Sequence, residues 1–301
     1  MLSYCYEQLS KGSMKAIIIL CLSIPLCVSA QKQQRTLFIY NGAFGGVTAG
    51  IGSVINKPCH ANWKTTFIKG FWQGAIGGIL NYSGKKLLYP VNKQQNSLYA
   101  WPAKILHAAG YSIVENAALN EPFLQNWHMD YGLFRIDLSF NKKKSFKVRL
   151  LPEAVVATVI AGQYGKFDLS SSLMTGEIIF KSRRVLDLPN TQPAEGATFG
   201  RVVVYVENDQ SYYGKDRILS HELVHRYQYN EYQVFNTWLK PVGDKIKSKQ
   251  LQTIFSRYVY FDAPYAFIPY YIIGQYRDAH FYQNFYEFEA ERFSTNEDVQ
   301  R

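Results

Sequence analysis

The sequence predicts an α+β fold, because helical and strand periodicities occupy separate parts of the chain. Two glycine-spaced apolar segments come first, a stretch that alternates apolar and polar residues follows, and two helical segments rich in histidine or carboxylate side chains come last. With 301 residues, 47% of them hydrophobic and 16% aromatic, the chain can bury a large core. We expect four regions, at residues 1–30, 31–125, 126–185 and 186–301.

The first region has the features of a secretory signal peptide over residues 1–30. Met14 and the lysine after it begin a short positive segment, residues 16–28 are apolar, and Ala30 ends a small-residue cleavage site. Translation starting at Met14 fits the same pattern. Export predicts a location in the periplasm or cell envelope. Cys59, the one cysteine beyond the leader, can form no internal disulfide.

The net charge is +10, from 33 lysines and arginines against 23 aspartates and glutamates. A basic balance of this size is compatible with nucleic acid or an anionic membrane as a partner. The positive residues are scattered, however, and the longest run is Lys142 to Lys144 in a predicted turn. Because no basic helix or aromatic-basic ladder is present, we do not expect nucleic-acid binding.

The second region is predicted to contain a helical hairpin over residues 37–84. Glycines recur every fourth residue in both apolar segments: Gly42, Gly46, Gly50, Gly70, Gly74 and Gly78. Since an interior glycine costs a helix about 1 kcal/mol, this spacing predicts two helix backbones in close approach. Two interpretations remain open: a hairpin inserted in or lying against a membrane, and a soluble, tightly packed hairpin. Two short helices broken at Gly110 are expected next, over residues 101–120.

The third region is predicted to be rich in β-structure. Residues 134–140 and 146–150 alternate apolar and polar side chains on either side of a turn, which is the pattern of a β-hairpin. Further segments are expected as strands at residues 155–160, 167–173 and 177–181, a linker at 186–200, and a valine-rich strand at 201–206.

The next predicted helix contains His221-Glu222-Leu223-Val224-His225. Residues four apart on an α-helix are neighbours on one face, so both imidazoles can reach a single metal ion. Glu222 would lie near the ion without ligating it, where a general base for a metal-bound water should be. Asp216 is the expected N-cap of this helix, and Pro241 is its expected stop.

A final helix is predicted at residues 278–293. Its polar stripe consists of His280, Asn284, Glu287 and Glu291. The stripe offers carboxylates from a second helix to the two histidines. Two histidines and one carboxylate leave a fourth position for water, as in catalytic rather than structural zinc sites.

The two helices resemble those of gluzincin metallopeptidases, and the likeness covers residues 201–293. The pattern is most similar to that of the membrane-associated CAAX-prenyl-protease-like and heat-shock-protease-like gluzincins, whose second signature is Glu-x-x-Ala-Asp. The segment Glu287-Phe288-Glu289-Ala290-Glu291 resembles this signature, with glutamate in place of the final aspartate.

This resemblance implies a zincin-like catalytic region that binds Zn²⁺ and hydrolyses peptide or protein substrates. It also implies that the valine-rich strand at 201–206 is the edge strand beside the site. The residues concerned are the zinc ligands His221, His225 and Glu287, the general base Glu222, the orienting Glu291, and the alternative third ligand Glu289.

Peptide hydrolysis needs a donor for the oxyanion besides zinc, and Tyr286, Arg292 and His280 are the candidates. Two other interpretations of the chain remain. A cell-envelope structural or interaction protein could keep the zinc site without turnover, with the glycine hairpin and the β-rich region carrying its function. A membrane-disrupting protein built on the hairpin is the third interpretation.

Overall fold

The computed structural model describes residues 33–141, 145–187, 193–207, 212–243, 245–246, 248–261 and 284–295. The predicted signal peptide at 1–30 and His280 lie outside these residues. The described chain combines many helices with two small sheets, so the predicted α+β class is confirmed.

Two long helices, α1 (Gln33–Ile55) and α2 (Trp63–Lys86), form the predicted hairpin. The side chain of Asn62 caps α2 by accepting hydrogen bonds from backbone N–H groups of its first turn. The helices cross at very short range. A Cβ atom on Gly45 would lie 2.5 Å from the carbonyl oxygen of Gly74, so only glycine allows this approach.

The more apolar helix of the hairpin, α1, is mostly buried by the rest of the protein. Among the described residues, the helix Gln34–Ile55 alone is long and apolar enough to cross a membrane, and 67% of its most apolar window is buried inside the protein. The exposed apolar side chains of the hairpin are instead concentrated on α2, where they include Trp63, Ile68, Trp72 and Ile76.

After α3 (Tyr89–Gln94) and a 3₁₀ turn (Ser97–Tyr99), helix α4 (Ala100–Ala118) packs against both helices of the hairpin. The predicted break at Gly110 is wrong, because α4 continues through it. A Cβ atom at Gly110 would lie 2.6 Å from the carbonyl oxygen of Gly77. This glycine therefore makes room for α2 rather than ending a helix.

Strands β1 (Asn126–Tyr131), β2 (Phe134–Ser139) and β3 (Ser145–Leu150) form an antiparallel meander. The predicted β-hairpin is present as β2 and β3, in which Leu138 pairs with Phe146. The meander packs against α4 through β1.

The predicted strand at residues 155–160 is wrong, because these residues belong to helix α5 (Pro152–Tyr164). A proline at the start of a helix has its φ fixed near the helical value, and it lacks an N–H that the first turn would leave unpaired. Ala154, Ala157 and Ala161 form the buried side of α5. The helix start therefore outweighs the β-propensity of the valines that follow.

The predicted strand at residues 167–173 is also mostly helical. The two-residue strand β4 (Lys166–Phe167) is followed at once by helix α6 (Leu169–Thr175). The carboxylate of Asp168 caps α6, since its Oδ1 accepts a hydrogen bond from the backbone N–H of Ser171 at 3.1 Å. An N-cap of this kind stops the strand and begins the helix.

The second sheet has the order β4-β5-β7-β6, completed by β5 (Ile178–Ser182), β6 (Gly196–Phe199) and β7 (Val202–Val206). Strand β7 pairs with β5 in parallel and with β6 in antiparallel, so it is interior. The implied edge position of residues 201–206 is therefore wrong. The edge strand on this side of the sheet is β6, which lies in the stretch 186–200 that was predicted to be a linker. The uninterrupted apolar run of β7 is what a strand buried on both faces requires.

Helix α7 (Lys215–Glu231) covers one face of this sheet. The helix begins before Asp216, so the predicted N-cap is wrong, and the Asp216 carboxylate instead accepts a hydrogen bond from Ser97 Oγ at 2.6 Å. The predicted stop is wrong as well. A 3₁₀ helix (Tyr232–Leu239) follows α7 directly, well before Pro241.

The remaining described helices are α8 (Lys240–Gly243), α9 (Lys249–Arg257) and α10 (Phe285–Thr295). The predicted start of the final helix, at residue 278, lies outside the described residues. Helix α10 packs against α7, α3 and α2, which places it between the histidine-containing helix and the glycine hairpin.

Candidate metal centre

Helices α7 and α10 bring two histidines and one carboxylate together. Nε2 of His221 and Nε2 of His225 lie 3.2 Å apart, and Oε2 of Glu287 lies 3.2 Å from each of these nitrogens. The histidines are one helical turn apart, whereas Glu287 follows His225 by 62 residues in the chain. Within the described ranges, this is the one group of three histidine, cysteine, aspartate or glutamate side chains whose potential ligand atoms all lie within 4.8 Å of one another.

The triangle has a suitable size for a zinc ion. Zinc binds nitrogen and oxygen ligands at about 2.0–2.2 Å, so two ligand atoms at the corners of a tetrahedron lie about 3.3–3.6 Å apart. The observed separations of 3.2 Å are close to that range. Imidazole ligands also suit copper, iron and nickel, so the choice of zinc comes from the family resemblance.

The three side chains of the triangle are buried to different degrees. The side chain of Glu287 is 4% exposed, whereas that of His221 keeps 15% of its surface exposed. Of the three side chains, that of His221 is therefore the one most accessible to solvent.

The three side chains of the triangle strongly perturb one another's pKa values. Burial alone would lower the pKa of His221, but hydrogen bonds with Glu287 and Glu291 raise it to about 10. Burial alone would raise the pKa of Glu287, but the charge of His225 and hydrogen bonds with both histidines bring it well below its usual range. A metal ion that binds here must therefore displace a proton.

Glu291 lies behind His221, as the resemblance implies for an orienting residue. Its Oε2 is 3.4 Å from Nδ1 of His221, on the side of the ring away from Glu287. Its Oε1 accepts a hydrogen bond from Nη2 of Arg217 at 2.9 Å. Sequence reasoning missed Arg217, although its position one helical turn before His221 placed it on the same helix face.

His225 has a different partner for its second nitrogen. Nδ1 of His225 lies 2.8 Å from Oε1 of Gln228, three residues further along α7. The two histidines thus have distinct partners, a carboxylate for His221 and an amide for His225. Such partners fix the ring and the position of its proton.

The carboxylate of Glu222 contacts the edge strand β6. The hydroxyl of Thr198 donates to Oε2 of Glu222 at 2.7 Å. A Cβ atom on Gly196 would lie 2.6 Å from Oε1, so glycine leaves room for this carboxylate. The negative charge of Glu222 still raises the pKa of both histidines, which shows that it lies near them. Sequence reasoning missed Thr198 and Gly196 because a linker was predicted there.

The alternative third ligand, Glu289, is wrong for this arrangement. Its carboxylate is directed away from the triangle and accepts hydrogen bonds from Lys85, Asn41 and Gln228. Tyr286 is no oxyanion donor either, because its hydroxyl is buried in contact with the hydroxyl of Tyr232.

Of the other two candidate oxyanion donors, Arg292 is a mostly buried side chain of α10. His280 lies outside the described residues. No protein-family model, curated protein or solved structure matches the chain.

Proposed function

We propose that the chain is an exported zinc-dependent metallopeptidase of the periplasm or cell envelope. His221, His225 and Glu287 would hold Zn²⁺, and Glu222 would act as the general base. The observation that carries the proposal is the approach of Glu287 Oε2 to 3.2 Å from both histidine nitrogens. Glu287 of α10 and the two histidines of α7 were predicted from separate sequence motifs, and their side chains lie together.

A zinc ion in this triangle would polarise a water molecule and the carbonyl group of a peptide. Glu222 would take the proton of the water and deliver it to the leaving amine. The hydrogen bond from Thr198 to Oε2 holds the carboxylate in place and leaves Oε1 for the proton. Gly196 keeps the space beside Oε1 free of a side chain.

The position of β6 supports an extended peptide as substrate. Val206 donates its backbone N–H to the carbonyl oxygen of Glu195 at 2.7 Å. Because hydrogen-bonded pairs alternate along antiparallel strands, the backbone groups of Gly196 and Thr198 then face away from β7. On that outer side Leu186 forms an antiparallel bridge with Ala194, just before β6, but no strand in the described part of the chain pairs with Gly196 to Phe199 there. A peptide added there as a further strand would pass beside Glu222.

Replacement of the general base tests the proposal. Glu222→Gln keeps the size of the side chain and the three ligands, so zinc content should stay the same while peptide cleavage falls by about 10²–10⁴-fold. Glu207→Gln is the control, because Glu207 is exposed and pairs with an exposed lysine. Cleavage of a peptide library by zinc-loaded wild type and both variants decides the question. Equal cleavage by wild type and Glu222→Gln would refute the peptidase.

The second candidate function is a cell-envelope structural or interaction protein that keeps the zinc site without turnover. It is supported by the burial of Glu287, since a metal at the triangle would fasten α7 to α10 whether or not a substrate binds. If this second function is the right one, the chain binds zinc, and wild type and Glu222→Gln show no difference in any cleavage assay.

We also propose that the hairpin lies against an anionic membrane through α2. Ile68, Trp72 and Ile76 lie one turn apart on a single stripe of this helix, and Trp72 is 65% exposed. Lys64 lies one turn before them on the same stripe. Exposed tryptophan and apolar side chains next to lysine suit the interface of an anionic bilayer.

Flotation with vesicles tests the membrane proposal. The protein should bind vesicles that contain phosphatidylserine, and Trp72→Ser should weaken this binding. Leu124→Ser is the control, since Leu124 is also an exposed apolar residue but lies outside the hairpin. Equal binding by wild type and Trp72→Ser would contradict the proposed surface.

A further inference from the structure

A buried series of hydrogen bonds connects the glycine hairpin to the ligand His225. Lys85 of α2 has no exposed surface, and its Nζ lies 2.9 Å from both carboxylate oxygens of Glu289. Asn41 of α1 donates its Nδ2 to Oε1 of the same carboxylate at 2.8 Å. Gln228 of α7 donates its Nε2 to Oε2 at 2.9 Å. Both helices of the hairpin therefore contact the carboxylate that Gln228 contacts.

These contacts decide which way the amide of Gln228 points. Its nitrogen donates to the Glu289 carboxylate and, at 3.1 Å, to the backbone carbonyl of Tyr286. Both groups can only accept, so the amide nitrogen must occupy that side. The amide oxygen is consequently directed at Nδ1 of His225, 2.8 Å away.

The orientation of the amide fixes the histidine in turn. Because an amide oxygen accepts and never donates, Nδ1 of His225 carries a proton. When the ring is neutral, its other nitrogen, Nε2, then presents a lone pair towards His221 and Glu287. This is the nitrogen that takes part in the triangle of ligand atoms.

We propose that Lys85, Asn41 and Glu289 are positioning residues of the metal centre, which act through Gln228 on the ring of His225. The inference rests on the proposed metal site and adds the glycine hairpin to its supporting structure. Glu289 is fully surrounded by protein, and a buried carboxylate needs a buried cation and hydrogen-bond donors. Within the described residues, the hairpin supplies the cation and one of the donors.

The second partner of Lys85 offers a matched control. Glu231 is also buried, and its Oε1 lies 2.9 Å from the same Nζ. Its other ionisable neighbour is His107 rather than a residue of the metal centre. Replacing either glutamate by glutamine removes one charge from the Lys85 ion pair. Only Glu289→Gln, however, also places an NH₂ group next to three donors that need an acceptor, namely those of Lys85, Asn41 and Gln228. Because the amide of Gln228 then loses an acceptor, it is free to flip.

The experiment compares full-length wild type with Gln228→Leu, Glu289→Gln and Glu231→Gln. Zinc affinity is measured by competition with a chelator. We expect Gln228→Leu and Glu289→Gln to bind zinc about 10–100-fold more weakly, and Glu231→Gln to stay within about threefold of wild type. NMR of the metal-free protein with ¹⁵N-labelled histidine should show the Nδ1–H resonance of His225 displaced in the first two variants and unchanged in the third.

Equal weakening by Glu289→Gln and Glu231→Gln would overturn the proposal, because the effect would then belong to the Lys85 ion pair in general. An unchanged Nδ1–H resonance in Gln228→Leu would also overturn it. Gln228→Leu removes no charge, so it remains a test if Glu289→Gln fails to fold. Wild type that binds no zinc but shows the expected NMR differences would refute the metallopeptidase and support the positioning of His225.

Discussion

Replacing Gly45 by alanine tests whether the hairpin depends on direct contact between helix backbones. The new Cβ would lie 2.5 Å from the carbonyl oxygen of Gly74 and 2.9 Å from Cα of Gly78. Ordinary contacts of this kind are about 3.5–4.0 Å, so α1 and α2 would have to separate by about 1 Å. Neither obstructing group is a side chain that could rotate away.

The magnitude follows from two opposing effects. Alanine in place of glycine stabilises a helix by about 1 kcal/mol. Overpacking of a well-packed interior costs about 1–3 kcal/mol, and the upper end applies here because backbone atoms obstruct the Cβ. We therefore expect Gly45→Ala to lower the free energy of unfolding by about 2 kcal/mol.

Gly42→Ala is the matched control on the same helix. Its Cβ would meet Cγ1 of Ile79 at 3.4 Å, an ordinary contact, so the helix-propensity gain should remain and the protein should be unchanged or about 1 kcal/mol more stable. Urea denaturation followed by circular dichroism gives both free energies if the slope with urea is unchanged. The packing argument fails if Gly45→Ala is at least as stable as Gly42→Ala.

Three further predictions concern charge. The pKa of His221 is raised to about 10, so zinc that binds as proposed must displace a proton at neutral pH. Zinc affinity should therefore fall by up to about tenfold per pH unit as pH falls, and calorimetry in buffers of different ionisation enthalpy should detect the released proton. Burial and the charge of a nearby arginine lower the pKa of His128 to about 4, against about 6.5 unfolded, so more protons bind to the unfolded chain between these values. Stability should therefore fall by about 3 kcal/mol from pH 6.5 to 4, and denaturation of His128→Gln should show a flatter pH dependence. Asp130→Asn removes the buried carboxylate that Arg201 and Arg226 share, which leaves Glu153 to the first and Glu177 to the second. Urea denaturation should show a cost of about 3–5 kcal/mol, whereas Glu207→Gln at an exposed pair should cost under about 1 kcal/mol.

Features that depend on neighbours in the chain were predictable from sequence. The spacing of His221 and His225 determines that both rings lie on one helix face, whatever surrounds the helix. The same argument holds for the alternation that predicts the hairpin of β2 and β3. The predictions at residues 155–160 and 167–173 failed for a local reason too, since helix starts at a proline and at an N-cap aspartate outweighed β-propensity.

The glycine pattern shows where local reasoning stops. The every-fourth-residue rule selected Gly42, which makes only an ordinary contact, and passed over Gly45, which lies against the backbone of α2. Glycine spacing along one helix predicts only that one of its faces lacks side chains and can approach another helix closely. Which residue meets the partner depends on how the second helix crosses the first, and the spacing along one helix does not give that crossing.

The sequence by itself determined the α+β class, the histidine pair, and the carboxylates of the last helix. Only the tertiary structure decided that Glu287 joins the histidines while Glu289 joins Lys85 of the hairpin. It also decided that β6 rather than β7 is the edge strand beside Glu222. The physical reason is that helical periodicity fixes neighbours within about one turn, whereas the partners of a buried charge or a strand edge come from segments distant in the chain.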